Sequence, residues 1–440
     1  MKNKNSELVI LGAGMTGLAA GYVSGLPVYE AADIPGGICS SYYMRPGDHR
    51  RLYVAPQDGE AYRFEIGGGH WIFGGDPIVI RFIQSLAPVR SYYRRSTVYF
   101  PDRDLFVPYP IQNHLRYLGT KTAAQVLQEI VAAAKLNRPI TTMAEWLEAS
   151  FGTTLCNLFF HPFHEMYTAG LWKSIAPQDA YKSPVDLSLA IQGAFDNVTP
   201  VGYNVTFIYP EDGLNALAQR MAEKCDIQYD KRVIHIDVKE KVIHFEDGSV
   251  TRYKTLLSTL PLNRMIDMTG LHIDEQPNPA ASVLVINIGA VKGPRCPEEH
   301  WIYIPQSKAH FHRVGFYSNV DVSFLPASAR KNKDRVSIYV EKAYQEGEKP
   351  YEAEVKALCS QTVKELQEWE WIADAEVVDP TWIDVAYTWS RPGSQWKSKA
   401  LKSLQQHDIY LVGRYARWSF QGIADSIRDG FMAGATLINK

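Results

Sequence analysis

Gly12-Ala13-Gly14-Met15-Thr16-Gly17 sets three glycines at the G-x-G-x-x-G spacing. That spacing serves the cradling of a dinucleotide pyrophosphate. Gly12 permits the tight turn, Gly14 lets the backbone approach the phosphates, and Gly17 lets a helix pack closely on its strand. Met15 and Thr16 open that helix, whose free N–H groups and dipole favour negative charge. Glu30 stands where a carboxylate accepts hydrogen bonds from a ribose diol. A second candidate cluster, His161, His164 and Glu165, is interrupted by Pro162. No further ligand is spaced to join it, so no metal site is expected.

The elements that must hold these residues follow from periodicity. Residues 8–11 form an apolar run, the mark of a strand buried on both faces. Residues 15–23 are small and apolar, suited to a helix lying close on a sheet, and Val28-Tyr29-Glu30 is the next strand. From Pro77 to about Ala190 the pattern is helical, with Val126, Ile130, Val131 and Ala134 on one face of residues 123–136. Thr141-Thr142 cap a further helix that begins at Met143. Residues 229–260 change to strand alternation, with Asp247-Gly248 as a turn. Strands are expected at 282–291 and 336–344, around the basic segment 311–316, and at 409–412, before a helix over 425–437. The expected fold class is α/β. A discontinuous Rossmann-type domain takes residues 1–76, 205–270 and 400–440, a mainly helical insertion 77–204, and a separate antiparallel-sheet substrate domain 271–399.

Composition narrows the partners. The 440 residues exceed a single core, so two or three domains are expected. A net charge of -2 offers no general field for nucleic acid or an anionic membrane. Cys39, Cys156, Cys225, Cys296 and Cys359 contain no C-x-x-C pair, which fits reduced thiols in the cytoplasm. The N-terminus has no apolar signal core, and no stretch is long and apolar enough to span a bilayer. The sequons at Asn197 and Asn204 are read as chance matches.

Three further segments carry a resemblance. Pro35-Gly36-Gly37 with Ser40-Ser41, then Leu257-Ser258-Thr259-Leu260-Pro261, then Val412-Gly413-Arg414 resemble marks of the family of amine oxidases, protoporphyrinogen oxidases, phytoene desaturases and UDP-galactopyranose mutases. The resemblance implies non-covalent FAD. Its holders would be Gly12, Gly14, Met15, Thr16, Gly17, Glu30, Gly36, Gly37, Gly68, Gly69, His70, Val233, Gly413, Arg414 and Ile423. Several segments resemble the mutase branch: Gly68-Gly69-His70-Trp71, Val107-Pro108-Tyr109-Pro110-Ile111-Gln112-Asn113, Tyr167-Thr168 with Trp172, Asn204-Val205-Thr206-Phe207, and His312-Arg313-Val314 with Tyr317-Ser318-Asn319. Gly36-Gly37-Ile38, where amine oxidases commonly carry G-G-R, argues against the oxidase branch.

That branch implies a pyranose/furanose mutase acting on a nucleotide sugar. Reduced flavin attacks the anomeric carbon through N5 while the nucleoside diphosphate leaves. His70 and Arg313 would be catalytic. Gln112, Asn113, Trp172, Lys182, Asn204, Arg313, Tyr317, Asn319, Arg417 and Phe420 would touch substrate. Arg313 matches one diphosphate arginine; the segment 173–186 lacks the second, with Lys182 the nearest cation. Phe420 replaces a phosphate-contacting tyrosine, with Arg417 nearby. The alternatives are an oxidase or desaturase working through oxidised FAD, and a non-catalytic FAD-binding paralogue. There is no second nucleotide fingerprint for NAD(P)H, so reduction would use a small shared surface or an external electron donor.

Overall fold

In the computed structural model, which describes residues 8–133, 139–178, 185–199 and 205–438, Leu8–Leu11 is the middle strand of a five-stranded parallel sheet. The order is Asp226–Gln228, Pro27–Tyr29, Leu8–Leu11, Thr255–Ser258 and Ile409–Leu411. Both faces are covered, which explains the unbroken apolar run. Ile10 joins one core with Leu18, Ala19 and Val28, while Val9 and Leu11 join another with Ile236, Phe245 and Trp396.

Met15–Ser24 and Ile423–Ile438 cover the first face and lie almost backbone to backbone. A Cβ at Gly430 would strike the Thr16 carbonyl, and one at Gly434 the Ala20 carbonyl. The second face carries a small antiparallel sheet of Val233–Asp237, Val242–Phe245 and Val250–Arg252.

The other large sheet has seven strands in the order Ile372–Thr388, Ala280–Lys292, Arg335–Gln345, Arg313–Phe316, Trp301–Tyr303, Ser96–Phe100 and Leu105–Pro108. All pairs are antiparallel except Trp301–Tyr303 with Ser96–Phe100. Its period of two sorts the residues by face. Ile338 and Val340 pack with Leu284, Ile286 and Trp371, whereas Tyr339 joins the first core with Val283 and Val285. Arg313 stands directly opposite Glu341 in the register.

This corrects two expectations. The segment from Pro77 opens with one helix, Pro77–Leu86, and then runs as strands through Leu105–Pro108. Ser96–Phe100 is buried throughout and belongs to the seven-stranded sheet, so that sheet is not confined to 271–399. Partner strands distant in sequence override the local helical pattern there. Helices prevail only from Thr120–Ala133 onward, through Met143–Leu155, His161–Tyr167 and Leu187–Phe195. Met143–Leu155 opens with a capping box: the Glu145 N–H donates to Thr142 Oγ1 at 3.2 Å, and the Thr142 N–H to Glu145 Oε2 at 3.0 Å.

The glycine contact between the two sheet-covering helices generates a prediction. Gly434→Leu forces them apart and costs about 1–3 kcal/mol, whereas Met432→Leu on the exposed face changes stability by less than about 0.5 kcal/mol. Urea unfolding midpoints test this; equal midpoints for the two variants would refute the close-packing account.

Candidate functional site

A cavity of about 490 Å³ lies where the two large sheets meet the helical segment. One wall is the glycine turn, with Gly12, Gly14, Met15 and Thr16 lining it. Gly12 has φ +90°, accessible to glycine without strain. A Cβ on Gly14 would meet nothing within 4 Å, so that face of the turn opens into the cavity. Gly17 lies behind, where a Cβ would strike the Gly12 carbonyl; it holds the helix close and does not line the space. Glu30 lines the cavity, its carboxylate fixed by the Ala13 N–H at 2.6 Å and the Ala32 N–H at 2.9 Å.

Gly36 and Gly37 line the adjoining wall, and the Gly36 N–H donates to the Ala13 carbonyl at 2.8 Å. Gly413 and Arg414 close the far side. The Arg414 guanidinium donates to the Gln421 carbonyl at 3.1 Å and lies 4.7 Å from the centre of the Phe420 ring. Ile423 and Ser426 bring a second helix N-terminus to the same space. An open glycine face, two helix N-termini and a carboxylate in the cavity wall, able to accept from a ribose diol, fit FAD. Val233 is the exception: it lies in the small antiparallel sheet, packed toward the second core, and does not line the cavity.

Gly69 and His70 line the cavity, while Gly68 packs behind against Tyr339 and Glu341. His70 Nδ1 lies 3.2 Å from the Gly68 carbonyl, and burial pushes its pKa down to about 4. The imidazole is therefore neutral near pH 7, with Nδ1–H donating to that carbonyl and Nε2 left as an acceptor.

Arg313 lines the cavity too, but its fork is occupied. Nε donates to Glu341 Oε2 at 3.0 Å and Nη2 to Oε1 at 2.6 Å. Glu341 is 2% exposed. Burial works to raise its carboxyl pKa, and the charge of Arg313 with the His312 contact outweighs this, holding it at about 2. Buried His312 stands 3.6 Å from the same carboxylate, and the Tyr387 hydroxyl donates to it at 3.4 Å. Glu341 was missed in the sequence. Its signal was an acid at a core position of an apolar strand, V-S-I-Y-V-E.

Phe420 lines the cavity, as Arg313 does; Gln112, Asn113, Trp172, Tyr317, Asn319 and Arg417 do not. Gln112 and Asn113 are buried in a 3-10 turn, where the Asn113 carbonyl abuts Gly193. The Trp172 indole donates to Glu165 at 2.7 Å and rests against His161. The Tyr317 hydroxyl donates to Asn287 at 3.0 Å in the core, and the Asn319 amide ties down the Pro297 and Glu299 carbonyls at 2.8 Å each. Arg417 pairs with Asp429 at 3.6 Å. These residues shape and brace the fold around the site. Lys182 and Asn204 lie outside the described residues. His164 meanwhile bonds the Phe160 carbonyl at 2.7 Å, and among the described residues no three His, Cys, Asp or Glu gather as metal ligands.

Two predictions follow from this geometry. Gly14→Val projects a branched side chain into the opening and should yield colourless protein, whereas the native protein should be yellow and release FAD on denaturation; a yellow variant would contradict the cradle assignment. Burial also lowers the pKa of His114 to about 4 and of His300 to about 3, as for His70. The unfolded chain takes up these protons first, so stability should fall as pH drops from about 6.5 toward 4. Glu65, raised by burial to about 7, acts in the opposite direction over that interval. Burial lowers His161 and His312 as well and raises Glu346, so five histidines stand against two carboxyls, and the urea midpoint should be lower at pH 5 than at pH 7; a rise on acidification would contradict this.

The model of the family "Flavin containing amine oxidoreductase" matches residues 19–436. Among solved structures, reduced UDP-galactopyranose mutase superposes with a TM-score of 0.81 at 22% identity, covering 99% of this chain and 96% of that one. A protein assigned as protoporphyrinogen oxidase from Exiguobacterium sp. 255-15 gives 0.70 at 14% identity, with 99% of each chain covered. Putrescine oxidase bound to putrescine gives 0.58 at 15%, covering 98% of this chain and 99% of that one. No described helix is long and apolar enough to cross a membrane. The cradle and the family match together make this chain an FAD-binding member of the flavin-containing amine oxidoreductase family.

Proposed function

We propose that this chain is a flavin-dependent mutase-like enzyme that changes the ring size of a sugar activated through a phosphate. The observation that carries the reading is that Arg313 shares one cavity with the cofactor cradle and His70. When bound and reduced, FAD supplies a nucleophilic ring nitrogen. The protein's own task is then to hold a phosphate that departs and returns, to orient the sugar, and to keep water out. Arg313 Nη1 has no partner among the described residues and is the nitrogen that takes a phosphate oxygen, end-on. His70 Nε2 accepts a hydrogen bond from a sugar hydroxyl, and with its pKa lowered by burial the ring stays uncharged. Tyr303, Tyr387 and Phe420 wall the space against solvent.

A second reading rests on Glu341. Its carboxylate cancels the charge of Arg313, which suits an oxidoreductase drawing hydride from an uncharged substrate onto oxidised FAD. Incubating the anaerobically reduced protein with UDP-, dTDP- and GDP-sugars, and reading ring size by NMR, separates the two. Ring-size change supports the mutase. Its absence with every sugar, together with bleaching of oxidised flavin by a neutral substrate, would establish the oxidoreductase instead. The informative variant is Arg313→Lys, because Arg313→Ala strands a buried carboxylate. A point charge cannot both satisfy Glu341 and reach a phosphate. Loss of one charge-assisted hydrogen bond, about 1.5–3 kcal/mol, should weaken substrate binding by about tenfold to a hundredfold with FAD content unchanged. Binding equal to that of the native protein would remove Arg313 from the substrate site.

A further inference from the structure

We propose that the end of the substrate remote from the flavin is a hydrocarbon chain, and that Glu341 enforces this choice by cancelling the charge of Arg313. Under the proposed function, the substrate would be a sugar joined through a phosphate to that chain. The inference rests on that function only in placing the substrate in this cavity.

The helical segment contributes Met143, Trp146, Leu147, Phe159, Phe160 and Phe163 to the cavity wall. Five of these side chains are hydrocarbon or thioether, and the sixth carries only an indole N–H. None of the six has an oxygen or amide with which to read a nucleobase edge; His164 and Tyr167 of the same segment line the cavity too, but His164 is bonded to the Phe160 carbonyl at 2.7 Å and Tyr167 is packed against Tyr387 at 4.8 Å between ring centres. Gln112 and Asn113 bear the amides of this region, but they are buried elsewhere and do not line the cavity.

Arg313 stands between this chamber and the cofactor side. On one side its guanidinium lies 5.9 Å from the centre of the Tyr339 ring, and Tyr339 packs on Gly69. On the other side is its neighbour His312, which Tyr167 meets at 5.4 Å and Phe163 at 6.0 Å between ring centres. Phe163 leads to Phe159 at 5.2 Å, and Phe159 to Phe160 at 5.0 Å. A ligand extending from the cofactor past Arg313 therefore enters an aromatic and aliphatic chamber. A dianionic diphosphate entering there would approach the Glu341 carboxylate, which lies within 3.0 Å of the only arginine nitrogens it holds. A chain of methylene groups loses no hydrogen bonds in that chamber and gains burial.

The test titrates FAD-loaded protein with monomeric dodecyl phosphate, methyl phosphate and UDP, following the flavin spectrum. Dodecyl phosphate should bind at least tenfold more tightly than either of the others. Phe163→Asn should weaken dodecyl phosphate at least tenfold and leave UDP unchanged. Glu341→Gln should raise UDP affinity at least tenfold, provided FAD content shows that the variant folds; the native and Phe163 measurements decide the matter if it does not. UDP binding as tightly as dodecyl phosphate, or an unchanged dodecyl phosphate affinity in Phe163→Asn, would overturn the proposal. Tight dodecyl phosphate binding without ring-size change on any sugar supports the chamber and removes the mutase. Ring-size change on a UDP-sugar by a protein that prefers UDP keeps the mutase and removes the chamber.

Discussion

The Met15–Ser24 helix touches backbone on two sides, and the cofactor half of the molecule depends on that closeness. Gly17 lets its first turn lie on the Gly12 carbonyl, while Gly430 and Gly434 let Ile423–Ile438 lie along its outer face. Both helix N-termini are thereby brought to one cavity. Partial positive charge from two helices and an open stretch of backbone then converge where a pyrophosphate would sit. Side chains at these glycine positions would part the helices and separate those donors.

The other half of the cavity depends on a different constraint, a charged pair set in a largely aromatic wall. Removing one partner from such a pair typically costs about 3–5 kcal/mol, so Arg313 and Glu341 hold each other in place. The pairing is cross-strand and in register, which fixes where the guanidinium sits. An arginine so committed is well positioned and weakly attractive to anions. It can orient a phosphate oxygen through one nitrogen, but it cannot supply the net charge that a free fork would. The site therefore presents a well-placed guanidinium whose charge is largely cancelled by its partner.

Three distant parts of the chain build the cavity: the parallel sheet and its helices, the seven-stranded sheet, and the helical segment. Sequence resemblance identified residues from all three, but it did not separate those that line the space from those that brace it. Trp172, Tyr317 and Asn319 belong to matched motifs and are spent on internal hydrogen bonds. A motif records that a position matters to the fold without saying on which side of a strand or turn its side chain falls.

What the sequence determined by itself was local. The strand, glycine turn and helix at 8–24 and the cap at Thr142 each need only a few consecutive residues, and the structure has each where the sequence places it. Tertiary structure alone decided that Ser96–Phe100 is a strand, that Val233 does not line the cavity, and that Arg313 is paired. Short-range backbone preferences and turn geometry are set by neighbouring residues. The charge of a site is set by whichever group strand register places opposite it, and Glu341, 28 residues beyond Arg313, becomes its partner only when the sheet forms.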